Sequence, residues 1–140
     1  QYQHKEKFIP KIIINILKKK KIPVYAEGKN IREWLHVLDH CSAIQHLIKY
    51  GKVGQSYNIG SSYSCSNINL VKKICDIMDK KLDLKPSSKN LINFVKDRKA
   101  HDFRYSVDWS KISRLNWKPR ISFKKGLNNT INWYIKNYYE

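Results

Sequence analysis

Apolar residues recur at helical spacing in four stretches separated by short β-branched or aromatic runs, and this alternation of two periods is what most restricts the fold of the chain. Phe8, Ile9, Ile12, Ile13, Ile16 and Leu17 mark the first helix, with Pro10 held to its first turn, where a missing N–H costs nothing. Four lysines at 18–21 close it, at the end where the helix dipole favours cations. The same period returns in Ala43, Ile44, Leu47 and Ile48, with Asp39 read as the cap and Gly51 as the stop. It returns again in Leu70, Val71, Ile74, Cys75 and Met78 behind Asn67 or Asn69, and after Ser122 in Phe123, Leu127, Ile131, Tyr134, Ile135 and Tyr138. Between these helices, residues 22–25 and 31–37 read as extended segments around a turn at Gly28, and 56–59 and 91–95 read as strands. Residues 80–90, containing Pro86, read as the longest loop, and 108–115 as a short helix opened by Asp108. The expected class is α/β, with helices and short strands mixed in one domain of 140 residues.

Composition removes several functions. No apolar run approaches the 18 or so residues of a membrane span, and the polar start, Gln1 to Glu6, lacks the apolar run of a secretory signal. Cys41, Cys65 and Cys75 are odd in number and without CxxC spacing, so neither a disulfide framework nor a zinc site is expected. A reducing, cytoplasmic setting follows. The formal charge of +17 raises the question of nucleic acid. Lysine greatly exceeds arginine, however, and Lys, Ile and Asn are used heavily throughout, as codon bias in an AT-rich genome produces. No basic stripe is interleaved with stacking aromatics, which argues against a nucleic-acid partner.

Catalytic groups are missing more than contradicted. No Gly-x-Gly-x-x-Gly or Walker loop is present, so no dinucleotide cradle is visible. No helical Tyr-x-x-x-Lys pair occurs, and His36 and His40 lack the Glu of a zinc-binding His-Glu-x-x-His, so no metal is expected. Two polar clusters remain. Asp97, Arg98, Lys99, Ala100, His101 and Asp102 follow a strand, where loops grip ligands. Arg32-Glu33-Trp34 puts a guanidinium in a strand-like run, and its planar fork suits a phosphate or diphosphate. Each read alone is equally a surface ion pair; together they point to an anionic small molecule.

The order of motifs, Glu6-Lys7-Phe8-Ile9-Pro10, Pro23-Val24-Tyr25, Ile31-Arg32-Glu33-Trp34-Leu35, Val37-Leu38-Asp39-His40, Tyr57-Asn58-Ile59-Gly60, 97–102 and Asn132-Trp133-Tyr134, resembles the dTDP-glucose 4,6-dehydratases, which are extended short-chain dehydrogenases. The resemblance runs almost end to end. It implies that residues 1–140 are the C-terminal nucleotide-sugar-binding portion, a mixed α+β unit, with the N-terminal NAD-binding Rossmann domain and its catalytic residues largely absent from this chain. By that resemblance, Lys7 and Phe8 approach the sugar and diphosphate, and Pro23, Val24 and Tyr25 lie along the thymine and its deoxyribose. Arg32 pairs with the diphosphate, Asn58 binds nearby, and Asp97, Arg98, Lys99, Ala100 and His101 close the nucleotide end. The implied reaction oxidises C4 of glucose with NAD, eliminates water across C5 and C6, and returns hydride to C6. The expected partners are a dTDP-sugar and a separately encoded Rossmann half. Two departures stand out, since the family has glycine at the positions of Ala26 and Ala100, the latter within a Pro-Gly that is here Lys99-Ala100. Competing readings are a sister epimerase, decarboxylase or dehydratase acting on UDP- or CDP-sugars, and a non-catalytic basic module that binds polyanions.

Overall fold

The computed structural model describes residues 1–138. Helix α1 (Phe8–Leu17), α3 (Asn67–Leu82) and α5 (Phe123–Tyr138) pack against one another, each burying the stripe its apolar spacing marks. Ile12, Ile13, Leu70, Ile74, Met78, Ile131 and Tyr134 are all at most 1% exposed. Each such side chain contributes roughly 2 kcal/mol of apolar burial. Strand β1 (Ile22–Tyr25) runs parallel to β4 (Ile92–Val95) and adds Ile22 and Val24 to the same core.

A second sheet is small and mixed. Strand β2 (Ile31–Glu33) lies between β3 (Ser64–Ser66), which is antiparallel to it, and β5 (Arg104–Tyr105), which is parallel. Helix α2 (Val37–Tyr50) stands apart over a satellite cluster of Ala43, Ile112 and Trp117, to which the short α4 (Ser110–Ser113) contributes Ile112. The architecture is therefore α/β with two incomplete sheets, and no described helix is long and apolar enough to cross a membrane.

Several boundaries differ from the sequence expectation. The strand expected at 56–59 is extended coil, because no neighbouring strand pairs with it; Tyr57 and Ile59 pack instead against the satellite cluster. The 31–37 segment ends as a strand at Glu33. Helix α2 starts at Val37 and is capped by His36, whose Nδ1 accepts from the Leu38 N–H, rather than by Asp39. Ser66, not Asn67 or Asn69, caps α3 through its hydroxyl. Residues 80–90 are not one loop: α3 runs on to Leu82, and a single 3₁₀ turn spans Ser88–Leu91. The Asp79 carboxylate fixes that turn by accepting from the Ser87 hydroxyl at 2.6 Å and the Ser88 N–H at 3.0 Å.

The turn between β1 and β2 has a defined chemistry. Gly28 N–H donates to the Tyr25 carbonyl at 2.9 Å, and Ala26, at the second position of the turn, has φ +46°. A positive φ at that position, shared by the type I′ and II′ turns, favours glycine there. Gly28 itself has φ +68°, and a Cβ on it would strike Val24 and Ile68 at 2.8 Å.

Candidate functional site

The 97–102 loop leaves the end of β4 and returns through β5 to the edge of β2, so pairing alone brings it against Arg32. Asn30, buried beside β2, anchors it by donating from Nδ2 to the Asp102 carbonyl at 3.2 Å, and the Ile31 N–H donates to the Phe103 carbonyl at 2.7 Å. Arg32 completes the attachment. Its Nη1 donates to the carbonyls of Ile31 and Phe103, and its Nη2 donates to the Asp102 carbonyl at 2.8 Å.

Two guanidiniums meet on one imidazole. Arg98 Nη2 lies 2.8 Å and Arg32 Nη2 3.1 Å from His101 Nε2. Guanidinium nitrogens only donate, so Nε2 accepts, and the proton sits on Nδ1, which donates to Asp97 Oδ1 at 2.6 Å. The His101 side chain is 6% exposed beneath these partners. Its hydrogen bond, with help from the Arg98 backbone N–H and charge, holds the Asp97 carboxyl below the usual carboxylate range. Tyr25 stands edge-on to His101 and beneath the Arg98 guanidinium, 5.0 Å from its centre, while Arg32 lies over the Tyr105 ring at 4.7 Å.

Neither guanidinium has a carboxylate partner among the described residues, although three carboxylates lie close by in the chain. Glu33 accepts from the backbone N–H groups of Ser61 and Val107; Asp97 accepts from His101 and the Arg98 N–H; Asp102 accepts from the Tyr105 hydroxyl. Arg32 has both terminal nitrogens occupied by protein. Arg98 has only Nη2 engaged, so its Nε and Nη1 have no protein acceptor among the described residues. An exposed cationic fork backed by aromatic rings suits an anionic oxygen cluster.

The other expected site residues are spread more widely. Lys7 is the residue before α1, exposed and without a side-chain hydrogen bond, and Phe8 stacks on Trp34 with ring centres 6.3 Å apart. Pro23 is half-buried in β1, and Val24, 1% exposed, faces the core. Asn58 Nδ2 donates to the Asp108 carbonyl at 3.1 Å and makes no hydrogen bond to the Arg32–His101 cluster. Lys99 and Ala100 form the exposed tip of the loop, with Ala100 at φ +53°. The sequence reading missed Asn30 and Tyr105; their signal is position alone, one residue before β2 and opposite Arg32 in register.

A groove of about 1110 Å³ lies elsewhere, lined by Ile9, Trp34, Leu35, Tyr63 and Phe123 with Lys118 and Arg120, and no carboxylate lines it among the described residues. Gly126 on α5 admits the His36 ring at its edge, since a Cβ there would meet the imidazole at 2.8 Å. Burial holds the His36 pKa below the ordinary histidine value.

Fold and site define an α/β protein in which Arg32 of β2 and Arg98 of the 97–102 loop meet at His101 without a carboxylate partner among the described residues. The family model described as GDP-mannose 4,6 dehydratase matches residues 1–130, and the chain belongs to that family. It is 43% identical over 141 residues to the dTDP-glucose 4,6-dehydratase of Haemophilus influenzae, covering 97% of this chain and 42% of that protein. A dTDP-glucose 4,6-dehydratase from Streptomyces venezuelae, solved with NAD bound, superposes with a TM-score of 0.89 at 38% identity over 97% of this chain and 40% of its own. A UDP-glucuronic acid 4-epimerase from Bacillus cereus gives 0.79 at 22% identity over 96% of this chain and 41% of its own, a likeness of fold. The chain thus spans about two fifths of the length of the relatives it matches.

Proposed function

We propose that this chain is the nucleotide-sugar-binding portion of a dTDP-glucose 4,6-dehydratase, with the 97–102 loop and β2 holding the diphosphate of a dTDP-sugar. The observation that carries this reading is the pair of guanidiniums, Arg32 and Arg98, converging on His101 while Glu33, Asp97 and Asp102 are engaged by other donors. A diphosphate supplies the acceptor oxygens the Arg98 fork lacks, through charge-assisted hydrogen bonds. Arg32 and the His101–Asp97 pair keep the loop in place, and Tyr25 offers a ring beside the fork. The higher identity to dTDP-glucose dehydratases than to the UDP-sugar epimerase favours dTDP over UDP.

NAD, which relatives of this chain bind, does not fit the residues present. Gly28 is the one glycine in a turn after a strand, and it is followed by another strand instead of the helix N-terminus that would hold a pyrophosphate. The contribution of these residues is binding and alignment, which supplies the orientation a reaction needs. The apolar groove beside α1 and α5 is, on this reading, the seat of the remaining three fifths of the enzyme. Co-expression with the N-terminal portion of a full-length relative is expected to give NAD-dependent conversion of dTDP-glucose to the 4-keto-6-deoxy sugar. Turnover by the 140 residues alone contradicts the proposal.

A further inference from the structure

We infer that Tyr105 is a positioning residue whose hydroxyl holds the Asp102 carboxylate away from the two guanidiniums, keeping them available to an anion; this rests on the diphosphate reading of the same loop. Asp102 is the acid best placed to neutralise the site. Its own backbone carbonyl receives Arg32 Nη2 at 2.8 Å, so its carboxylate hangs one side-chain rotation from a guanidinium. Yet it forms no ion pair among the described residues; Oδ2 accepts from the Tyr105 hydroxyl.

The backbone makes this arrangement possible. Tyr105 sits opposite Arg32 in the parallel β2–β5 register, so its ring lies under the guanidinium while its hydroxyl reaches back three residues to Asp102. The Asp102 bond is also the main reason the Tyr105 phenol titrates above its ordinary value, with Arg32 and Arg98 opposing it, which places all four groups in one field. Without the hydroxyl, the released carboxylate turns to guanidiniums that have no carboxylate partner among the described residues, and an incoming diphosphate must displace it.

Isothermal titration of inorganic pyrophosphate and of dTDP into the full chain tests this with wild type, Tyr105→Phe, Asp102→Asn and the double variant. Tyr105 is 57% exposed, so the variants are expected to keep the wild-type melting temperature. Tyr105→Phe is expected to weaken both ligands about fivefold at low salt, the size of one competing exposed ion pair. That loss shrinks as salt is raised. Asp102→Asn binds at least as tightly as wild type, and the double variant matches Asp102→Asn. Unchanged affinity in Tyr105→Phe, or the same fivefold loss when Asp102 is already Asn, overturns the role of Tyr105 alone. Wild type that binds neither ligand overturns the diphosphate reading itself, and this role with it.

Discussion

Replacing Ala26 and Ala100 with glycine is expected to stabilise the chain, the reverse of what glycine usually does. Both alanines occupy left-handed backbone, at φ +46° and +53°. An L-residue with a Cβ costs about 1–2 kcal/mol in that region. Glycine removes the cost but adds unfolded-state freedom, an opposing effect of about 0.4–1 kcal/mol. Both side chains are exposed, so no packing is lost with the methyl group. The net gain is about 0.5–1 kcal/mol per site, or a rise of about 2–4 °C in melting temperature for each kcal/mol in a domain of this size. Thermal and urea unfolding of Ala26→Gly, Ala100→Gly and the double variant measure it. A fall in stability in either single variant refutes the reasoning, because it shows that the Cβ makes a contact worth more than the backbone strain. The same variants bear on function: Ala100 lies at the tip of the loop that carries Arg98 and His101, so a relaxed backbone there is expected to leave diphosphate affinity equal or improved.

Asp39→Ala is expected to cost about 2–3 kcal/mol in urea unfolding, because the buried carboxylate accepts from the Arg120 and Ile121 N–H groups at 3.0 Å and nothing else on α2 replaces it. His36 has a pKa lowered by burial, so the unfolded chain takes up its proton first: stability is full above about pH 6.5 and falls as pH drops below that value toward the folded pKa. His36→Asn retains a capping acceptor and is expected to flatten this part of the melting temperature–pH curve; an unchanged slope contradicts the assignment. Asp97 has the opposite chemistry, a carboxylate with a lowered pKa, so its contribution is present above about pH 4 and disappears as pH falls through the folded value. Hydrogen-exchange protection of the 97–102 amides, taken relative to their intrinsic rates, is expected to fall over that acid range and to stay constant between about pH 6 and 8.

Helices α1, α3 and α5 were legible because their partners are one another: a stripe of Ile, Leu and Met at helical spacing has only one use when three such stripes share a core. The start of α2 was not legible, because Asp39 satisfies every local rule for a cap while its carboxylate is engaged by residues 81 and 82 positions away. Strands β3 and β5 were hidden for a related reason. Ser64–Ser66 has little strand propensity, and both become strands only by pairing with β2, whereas 56–59 has the propensity and no partner. Arg32, Arg98 and His101 are candidates by residue type, and the register of β2 with β5 brings them together. Asn30 and Tyr105 act through geometry that no local pattern carries. The glycines expected from the family resemblance at 26 and 100 correspond to backbone that is left-handed at both positions, so the sequence departure and the conformation agree in locating the strain.

The diphosphate reading of this loop rests on Arg32 and Arg98, which have no carboxylate partner among the described residues. Calorimetric titration of dTDP, UDP and inorganic pyrophosphate into the 140-residue chain, with Arg98→Ala as the control, tests it most directly. dTDP is expected to bind more tightly than UDP, Arg98→Ala to lose about tenfold or more, from charge-assisted bonds of about 1.5–3 kcal/mol, and all three ligands to weaken with salt. Equal affinity of wild type and Arg98→Ala for dTDP contradicts it.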